Sequence, residues 1–366
     1  MQQILILIDN LRIGGFQRLA LDQAYALSEC KVKVTFFVLD NTNDNKALQD
    51  LEKKIIELHK IDIYHVGGSR HFEIKQIRNF LKINTNTVIL SHSLRGTIEA
   101  WIARKLSFRK NESIVLTTIH QLPTLSSNFQ RFLRFTYAQF TDYLFAYSEA
   151  VKSDWITRIR KFPFVLRYFY SKRIEVLRNG IYLERLPSVA KTVNNSKPRL
   201  IYLGRLREWK GLSTYYALAS ISQLAYFDFL MIIPELSADQ KTSIESFLGD
   251  RVQFIVGKTI ANLEPRIGDV HIYPTNYGSD ARFVESISLN CLEFACIGVP
   301  SIVSQDGLST WKDLNSTFIF RQVDWQDINN VVDQITHSSR NQTWDLNFIR
   351  NSIDIRKNIN AILKII

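Results

Sequence analysis

Residues 200–212 read LIYLGRLREWKGL, and the fold turns on how this stretch is read. Leu200–Leu203 is an apolar run too short for a helix and suited to a strand buried on both faces. Gly204 follows the run, and Arg205 and Lys210 then sit in the loop that leads to the next helix-like segment. Strand, glycine loop and helix in that order build parallel α/β sheets, which bind ligands beyond the carboxyl ends of their strands. An arginine can engage two oxygens at once and a lysine supplies a mobile point charge, so the loop suits a diphosphate. The alternative is a solvated charged loop, and Arg207 and Glu208 fit that reading.

The chain begins with the same device. Ile4–Ile8 reads as a buried strand ending at Asp9, followed by Gly14-Gly15 and a helix-like run from Phe16 to Leu27. Glycines between strand and helix let the backbone approach a ligand, and a helix N-terminus favours an anion. A simple turn would also explain the pair. Strands are expected at Val32–Leu39, Ile61–Val66, Thr87–Ser91, Ser113–Ile119, Tyr143–Tyr147 and Ile174–Leu177, with helical patterns between most of them. A polar, proline-punctuated segment at 186–199 is the linker candidate. Beyond Leu200–Leu203, a second series is expected at Phe229–Ile233, Val252–Val256, Val270–Tyr273 and Ser301–Val303. Residues 342–366 end the chain as one helix. With 366 residues, two α/β domains are the default.

Composition narrows the class. An apolar share of 46% with 22% charged residues is that of a globular protein. Cys30, Cys291 and Cys296 lack the spacing of a disulfide framework or a zinc site, which favours a reducing cytosol; the last two read as packing residues. The start lacks the charged flank and cleavage site of a signal peptide. No segment approaches the roughly 20 apolar residues that span a bilayer. The net charge of +11 lies wholly in residues 1–190, which hold 28 basic and 17 acidic side chains. That asymmetry implies an acidic partner on one side.

Glu285 and Glu293, in ESISLNCLEFACIGVP, are separated by seven residues on a segment that closes at Gly298 and Pro300 as a helix does. On one helix they would stand about 12 Å apart, too far to share a metal or a water. They could hold hydroxyls at opposite ends of an elongated ligand. Two surface glutamates are the alternative, set against the apolar neighbours Leu292, Phe294 and Ala295, since a buried carboxylate needs partners.

Gly14-Gly15, Arg178-Asn179-Gly180-Ile181, the loop with Arg205 and Lys210, and the Glu285/Glu293 pair occur in the order found in retaining glycosyltransferases of the GT-B fold, which the chain resembles from residue 1 to about 335. The resemblance implies two Rossmann-like, doubly wound parallel-sheet domains facing a central cleft. Residues 1–188 would bind the acceptor and 189–341 the nucleotide-sugar, with 342–366 packing back towards the first domain. Arg205 and Lys210 would neutralise the leaving diphosphate, and Glu293 would accept hydrogen bonds from ribose. Glu285, with Ser286, Ile287 and Ser288 after it, would contact the transferred sugar. Gly14 and Gly15 would bring backbone N–H groups to the phosphate side, and His120 matches a histidine near the sugar. The sequence has no Asp-any-Asp metal motif, so no metal and no cofactor are expected.

From Trp155 to Arg178 seven cations face one acid: Arg158, Arg160, Lys161, Arg167, Lys172, Arg173 and Arg178 against Glu175. Aromatic residues including Trp155 interleave with them, and Arg131 and Arg134 extend the stretch. Cations for headgroups and rings for the acyl boundary suit an anionic membrane surface. A solvated basic face, or nucleic acid held by phosphate and stacking contacts, would use the same residues. The expectation is a metal-independent hexosyltransferase of bacterial lipopolysaccharide, capsule or glycolipid synthesis. Its acceptor would be lipid-linked or a polysaccharide. It would sit in the cytoplasm, peripheral to the inner face of the membrane, with no nucleic-acid partner. A nucleotide-sugar epimerase on the same scaffold, or an inactive donor-binding subunit, are the alternatives.

Overall fold

The computed structural model describes residues 2–11, 14–40, 56–84, 86–107, 113–119, 140–159, 174–193, 196–257, 259–274, 288–304, 314 and 319–365. The chain forms two compact units, Met1–Tyr182 with Ile355–Ile366, and Leu183–Asp354.

The first unit is built on a seven-stranded sheet: β1 (Gln3–Ile8), β2 (Lys33–Val38), β3 (Asp62–His65), β4 (Thr87–Ser91), β5 (Ile114–Ile119), β6 (Tyr143–Ala146) and β7 (Ile174–Val176). Their order is β3-β2-β1-β4-β5-β6-β7, and every pairing is parallel. Central strands of such sheets are covered on both faces and read as continuous apolar runs. Accordingly Ile4–Ile8 and Val88–Leu90 are buried throughout, whereas edge strand β3 leaves Tyr64 exposed. Helices α1 (Gly15–Glu29), α2 (Arg70–Ile83), α3 (Leu94–Leu106) and α4 (Glu149–Ile159) connect the strands. Helix α1 is buried from Arg18 to Leu27, polar Asp22 and Gln23 included.

The second unit repeats the plan with β8 (Arg199–Leu203), β9 (Asp228–Ile233), β10 (Val252–Val256), β11 (Val270–Tyr273), β12 (Ser301–Ser304) and β13 (Phe320–Val323). Its order is β10-β9-β8-β11-β12-β13, again all parallel. Both sheets reverse direction beside their first strand, between β1 and β4 and between β8 and β11. Helices α5 (Leu212–Ala219), α6 (Ala238–Leu248), α7 (Leu289–Cys296), α8 (Ile328–Arg340) and α9 (Leu346–Ile353) complete the unit. Its core gathers Leu200, Tyr202, Tyr215, Phe229, Met231, Ile272 and Ile302 on one face of the sheet and Ile201, Leu230, Ile232 and Phe294 on the other. Each such side chain, fully buried, contributes about 1.5–3 kcal/mol. Cys291 and Cys296 are buried among them, and burial pushes the Cys296 thiol up to about 12.

The end of the chain differs from the single helix its sequence suggests. Helix α9 stops at Asp354, which takes an extended backbone (ψ 121°), and α10 (Ile355–Asn358) and α11 (Asn360–Leu363) follow as separate turns. The break lets Ile349 and Ile353 bury in the second unit while Ile355, Ile359 and Ile362 bury in the first. Gly180 makes the return possible. A Cβ there would lie 2.7 Å from the backbone of Ile355. Around it, Ile355 N donates to Ile181 O at 3.1 Å and Asn358 Nδ2 to Asn179 O at 3.1 Å. Strand β13, absent from the sequence reading, is a short edge strand of mixed polarity with only its end residues buried.

Candidate functional site

The second unit's switch point carries the decisive loop. At the amino ends of β8 and β11, Arg199 forks onto Asp269, with Nε to Oδ1 at 3.0 Å and Nη2 to Oδ2 at 2.6 Å, both side chains buried. Asp269 also accepts from the backbone N–H of Arg199 and Arg266. This clamp fixes the two strands side by side, so that their carboxyl ends open at one level.

At those carboxyl ends the chain turns through Gly204 and the exposed Arg205 into a single 3-10 turn, Glu208–Lys210. The Tyr202 hydroxyl donates to the carbonyl of Arg205 at 2.7 Å and anchors the loop. Burial pushes that phenol well above its usual value, which keeps it a donor. Lys210 Nζ donates to the Tyr273 hydroxyl at 3.0 Å and lies 5.1 Å from the ring centroid. Gly211, at φ +73°, joins the turn to α5; a Cβ there would meet the carbonyl oxygen of Pro274 at 2.1 Å. Only glycine lets the loop lie this close to the end of β11.

Helix α7 enters from the other side. Its N-cap is Ser288, which accepts from Asn290 N at 3.4 Å. Asn290 Nδ2 donates to Leu203 O at 3.0 Å, pinning the helix to the end of β8. Glu293, about 4.5 Å further along the axis, is buried, and its Oε1 accepts from Arg185 Nη2 at 2.5 Å. A groove of about 610 Å³ between α5 and α6 shares Leu206 and Glu208 with the loop and is edged by the stacked rings of Tyr216 and Phe247.

Of the residues expected from sequence, Arg205, Lys210, Ser288 and Glu293 therefore belong to neighbouring elements of one sheet edge. Glu285, Ser286, Ile287, His120, Arg131, Arg134, Arg160, Lys161, Arg167, Lys172 and Arg173 lie outside the described residues, as does the Arg158 side chain. In the first unit, Gly14 caps α1 with an extended backbone (φ −174°), and an added Cβ would meet only the side-chain amide of Gln17. Gly15 opens the helix. Trp155 is a correction: it is 2% exposed. Its ring is buried on α4 and cannot face a membrane.

Three residues in contact with, or parallel to, the expected ones escaped the sequence reading. Arg185 and Tyr273 are partners of Glu293 and Lys210 that no spacing reveals. His92 follows β4 as His120 follows β5, and that parallel was the available signal. It is buried at the first unit's switch point with Nδ1 3.2 Å from Thr118 Oγ1, and burial lowers its pKa to about 3, so the ring is neutral.

Chemically, the second unit's edge offers two cations, a phenol, and a carboxylate held by an arginine. Cations and a phenol suit the oxygens of an anion, and a carboxylate suits hydroxyl groups. Solved structures share the whole plan. The chain aligns over its full length with the apo form of WaaB, a lipopolysaccharide outer core galactosyltransferase, at 14% identity and a TM-score of 0.64, covering 100% of both chains. It also aligns over its full length with a glycosyltransferase from Rickettsia africae ESF-5, covering 97% of that chain at 14% identity and a TM-score of 0.67. The fold is GT-B. The S. aureus protein TarM, in a complex containing UDP and α-GlcNAc-glycerol, gives 10% identity, 98% of its chain covered and a TM-score of 0.67. No protein-family model and no curated protein sequence matches the chain. Among the described residues of this GT-B chain, no group of three or more His, Cys, Asp or Glu side chains could hold a metal, and no helix is long and apolar enough to cross a membrane.

Proposed function

We propose that the chain is a retaining glycosyltransferase that moves a hexose from a nucleotide-sugar to a lipid-linked or polysaccharide acceptor, with the donor held by the second unit. The observation that carries this reading is the loop Gly204–Gly211, which presents Arg205 and Lys210 at the switch point of a parallel sheet. In the transfer, the bond between the sugar's anomeric carbon and the donor phosphate oxygen breaks. A bond from the same carbon to an acceptor hydroxyl forms, and that hydroxyl's proton passes to the departing diphosphate. Negative charge grows on the diphosphate as the bond breaks. Cations fixed in advance at that charge lower the barrier.

Lys210 suits the task because Tyr273 already orients its ammonium. In this reading the two cations meet the charge that a metal ion meets elsewhere, Glu293 takes the ribose, and Glu285 and His120 face the transferred sugar. The excess of cations in residues 1–190 supports attachment to an anionic membrane surface. Co-sedimentation with anionic vesicles that disappears in high salt tests that attachment, and salt-independent or absent binding refutes it. WaaB's role in the lipopolysaccharide core and the UDP bound by TarM favour a surface-glycan product and a nucleoside diphosphate leaving group.

Thermal shift with UDP, GDP, dTDP and ADP tests the donor site. One nucleotide raises the melting temperature of the wild type, and Arg205→Ala and Lys210→Met each remove most of the rise. Each substitution lowers transfer about 100-fold, the scale of one lost charge-stabilising group. If the best nucleotide stabilises both variants as it does the wild type, the assignment of these cations fails.

A further inference from the structure

Glu293 does not stand alone on its helix. Its carboxylate is gripped by Arg185, the last residue of a 3-10 turn, Leu183–Arg185, at the start of the second unit. The two side chains retain 1% and 6% exposure. A carboxylate buried to this degree with no counter-charge would be strongly disfavoured, so the guanidinium compensates the charge as well as directing it. Asn290, one turn earlier, is tied to the end of β8, and Ser288 caps the helix. With the helix pinned at its first turn, the 2.5 Å contact of Oε1 with Arg185 restricts how the carboxylate can turn. An oriented carboxylate is acceptor-only and suits a ligand presenting hydroxyl groups.

We propose that Arg185 is the positioning residue that sets Glu293 as a hydroxyl acceptor, and that through it the site distinguishes ribonucleotides from 2′-deoxyribonucleotides. This inference rests on the donor-site reading above. Arg185 touches no ligand; it acts by holding the Glu293 carboxylate in one orientation. A hydrogen bond from a ligand hydroxyl to a carboxylate is of the stronger, charge-assisted kind. Loss of the 2′-hydroxyl therefore costs about 10- to 100-fold in affinity when the carboxylate is aimed, and little when it is not.

Calorimetric titration of the full chain with paired probes tests this: UDP against 2′-deoxy-UDP, and the corresponding GDP and ADP pairs. The wild type prefers the ribonucleotide by about 10- to 100-fold. Glu293→Gln and Arg185→Met each reduce that ratio to near one, and Arg185→Lys restores part of it. Damage to the fold alone would weaken both members of a pair alike and leave the ratio intact, so the ratio separates positioning from structural support. Should Arg185→Met fold poorly, the double variant Arg185→Met/Glu293→Gln removes both charges together and is predicted to fold and to show a ratio near one. A full ribonucleotide preference in either Arg185→Met or the double variant overturns the inference, as does a wild type that binds both members of a pair equally. A wild type that binds no nucleoside diphosphate overturns the donor-site reading instead, and the inference falls with it.

Discussion

At Gly211 two constraints meet on one residue. Its φ of +73° lies in the left-handed region, and a Cβ would come within 2.1 Å of a backbone carbonyl oxygen, which has no flexible end to move aside. Gly211→Ala should lower unfolding free energy by about 2–4 kcal/mol, the sum of the backbone penalty and a forced shift of Pro274. Urea unfolding at unchanged slope checks the figure, and a loss within about 0.5 kcal/mol would show that the loop has room to spare. Residue types were legible in part: the glycine loop lies at the carboxyl end of β8 as its sequence suggests, and Cys291 and Cys296 read correctly as packing. Partners were not. Nothing near Lys210 in sequence points to Tyr273, and nothing near Glu293 points to Arg185, because both contacts form only once distant elements are packed. Trp155 shows the opposite failure. Its basic neighbours suggested a surface, but an indole at the right helical position for the core is buried whatever its neighbours carry.

Elements were the most legible level, since a parallel strand buried on both faces has to be an unbroken apolar run. Twelve strands were read from their apolar runs, the edge strands β3, β7 and β10 among them, and Thr87–Ser91, Val252–Val256 and Val270–Tyr273 have the expected bounds. Strand β13 was not, because its four residues, FRQV, put two polar side chains between the apolar ends and form no such run. Nor were the breaks after α9 and α10, which are set by which unit each isoleucine enters. Helices α2 and α3 are held to each other by a clip that no periodicity signals: Arg95 bonds both Glu73 and Glu99. Both carboxylates are almost fully buried, and burial, with Glu73 alongside, pushes Glu99 up to about 7, although Arg95 opposes the shift. A carboxyl whose folded pKa lies above its unfolded value of 4.5 binds a proton more readily when folded. Its contribution is therefore favourable at low pH and fades as pH rises from about 4.5 through 7. Glu99→Gln should be more stable than wild type at pH 8 by about 1–3 kcal/mol, with the gap closing towards pH 5. Denaturant titrations at the two pH values check this; a gap that is equal at both, or reversed, would show that the clip carries its charge without cost.

For the whole molecule, two parallel sheets of seven and six strands repeat one order, and each places a switch point beside its first strand. Sequence conveyed this duplication, because the strand–glycine–helix device occurs at both Asp9–Gly15 and Leu203–Gly211. It also conveyed the charge asymmetry, which belongs to composition. The central claim is narrower: the carboxyl edge of β8 and β11 grips a diphosphate with Arg205 and Lys210. A crystal structure of the full chain with its preferred nucleoside diphosphate tests this most directly. The account predicts phosphate oxygens within about 3 Å of Lys210 Nζ and the Arg205 guanidinium. A diphosphate bound elsewhere, with both cations turned to water, would contradict it.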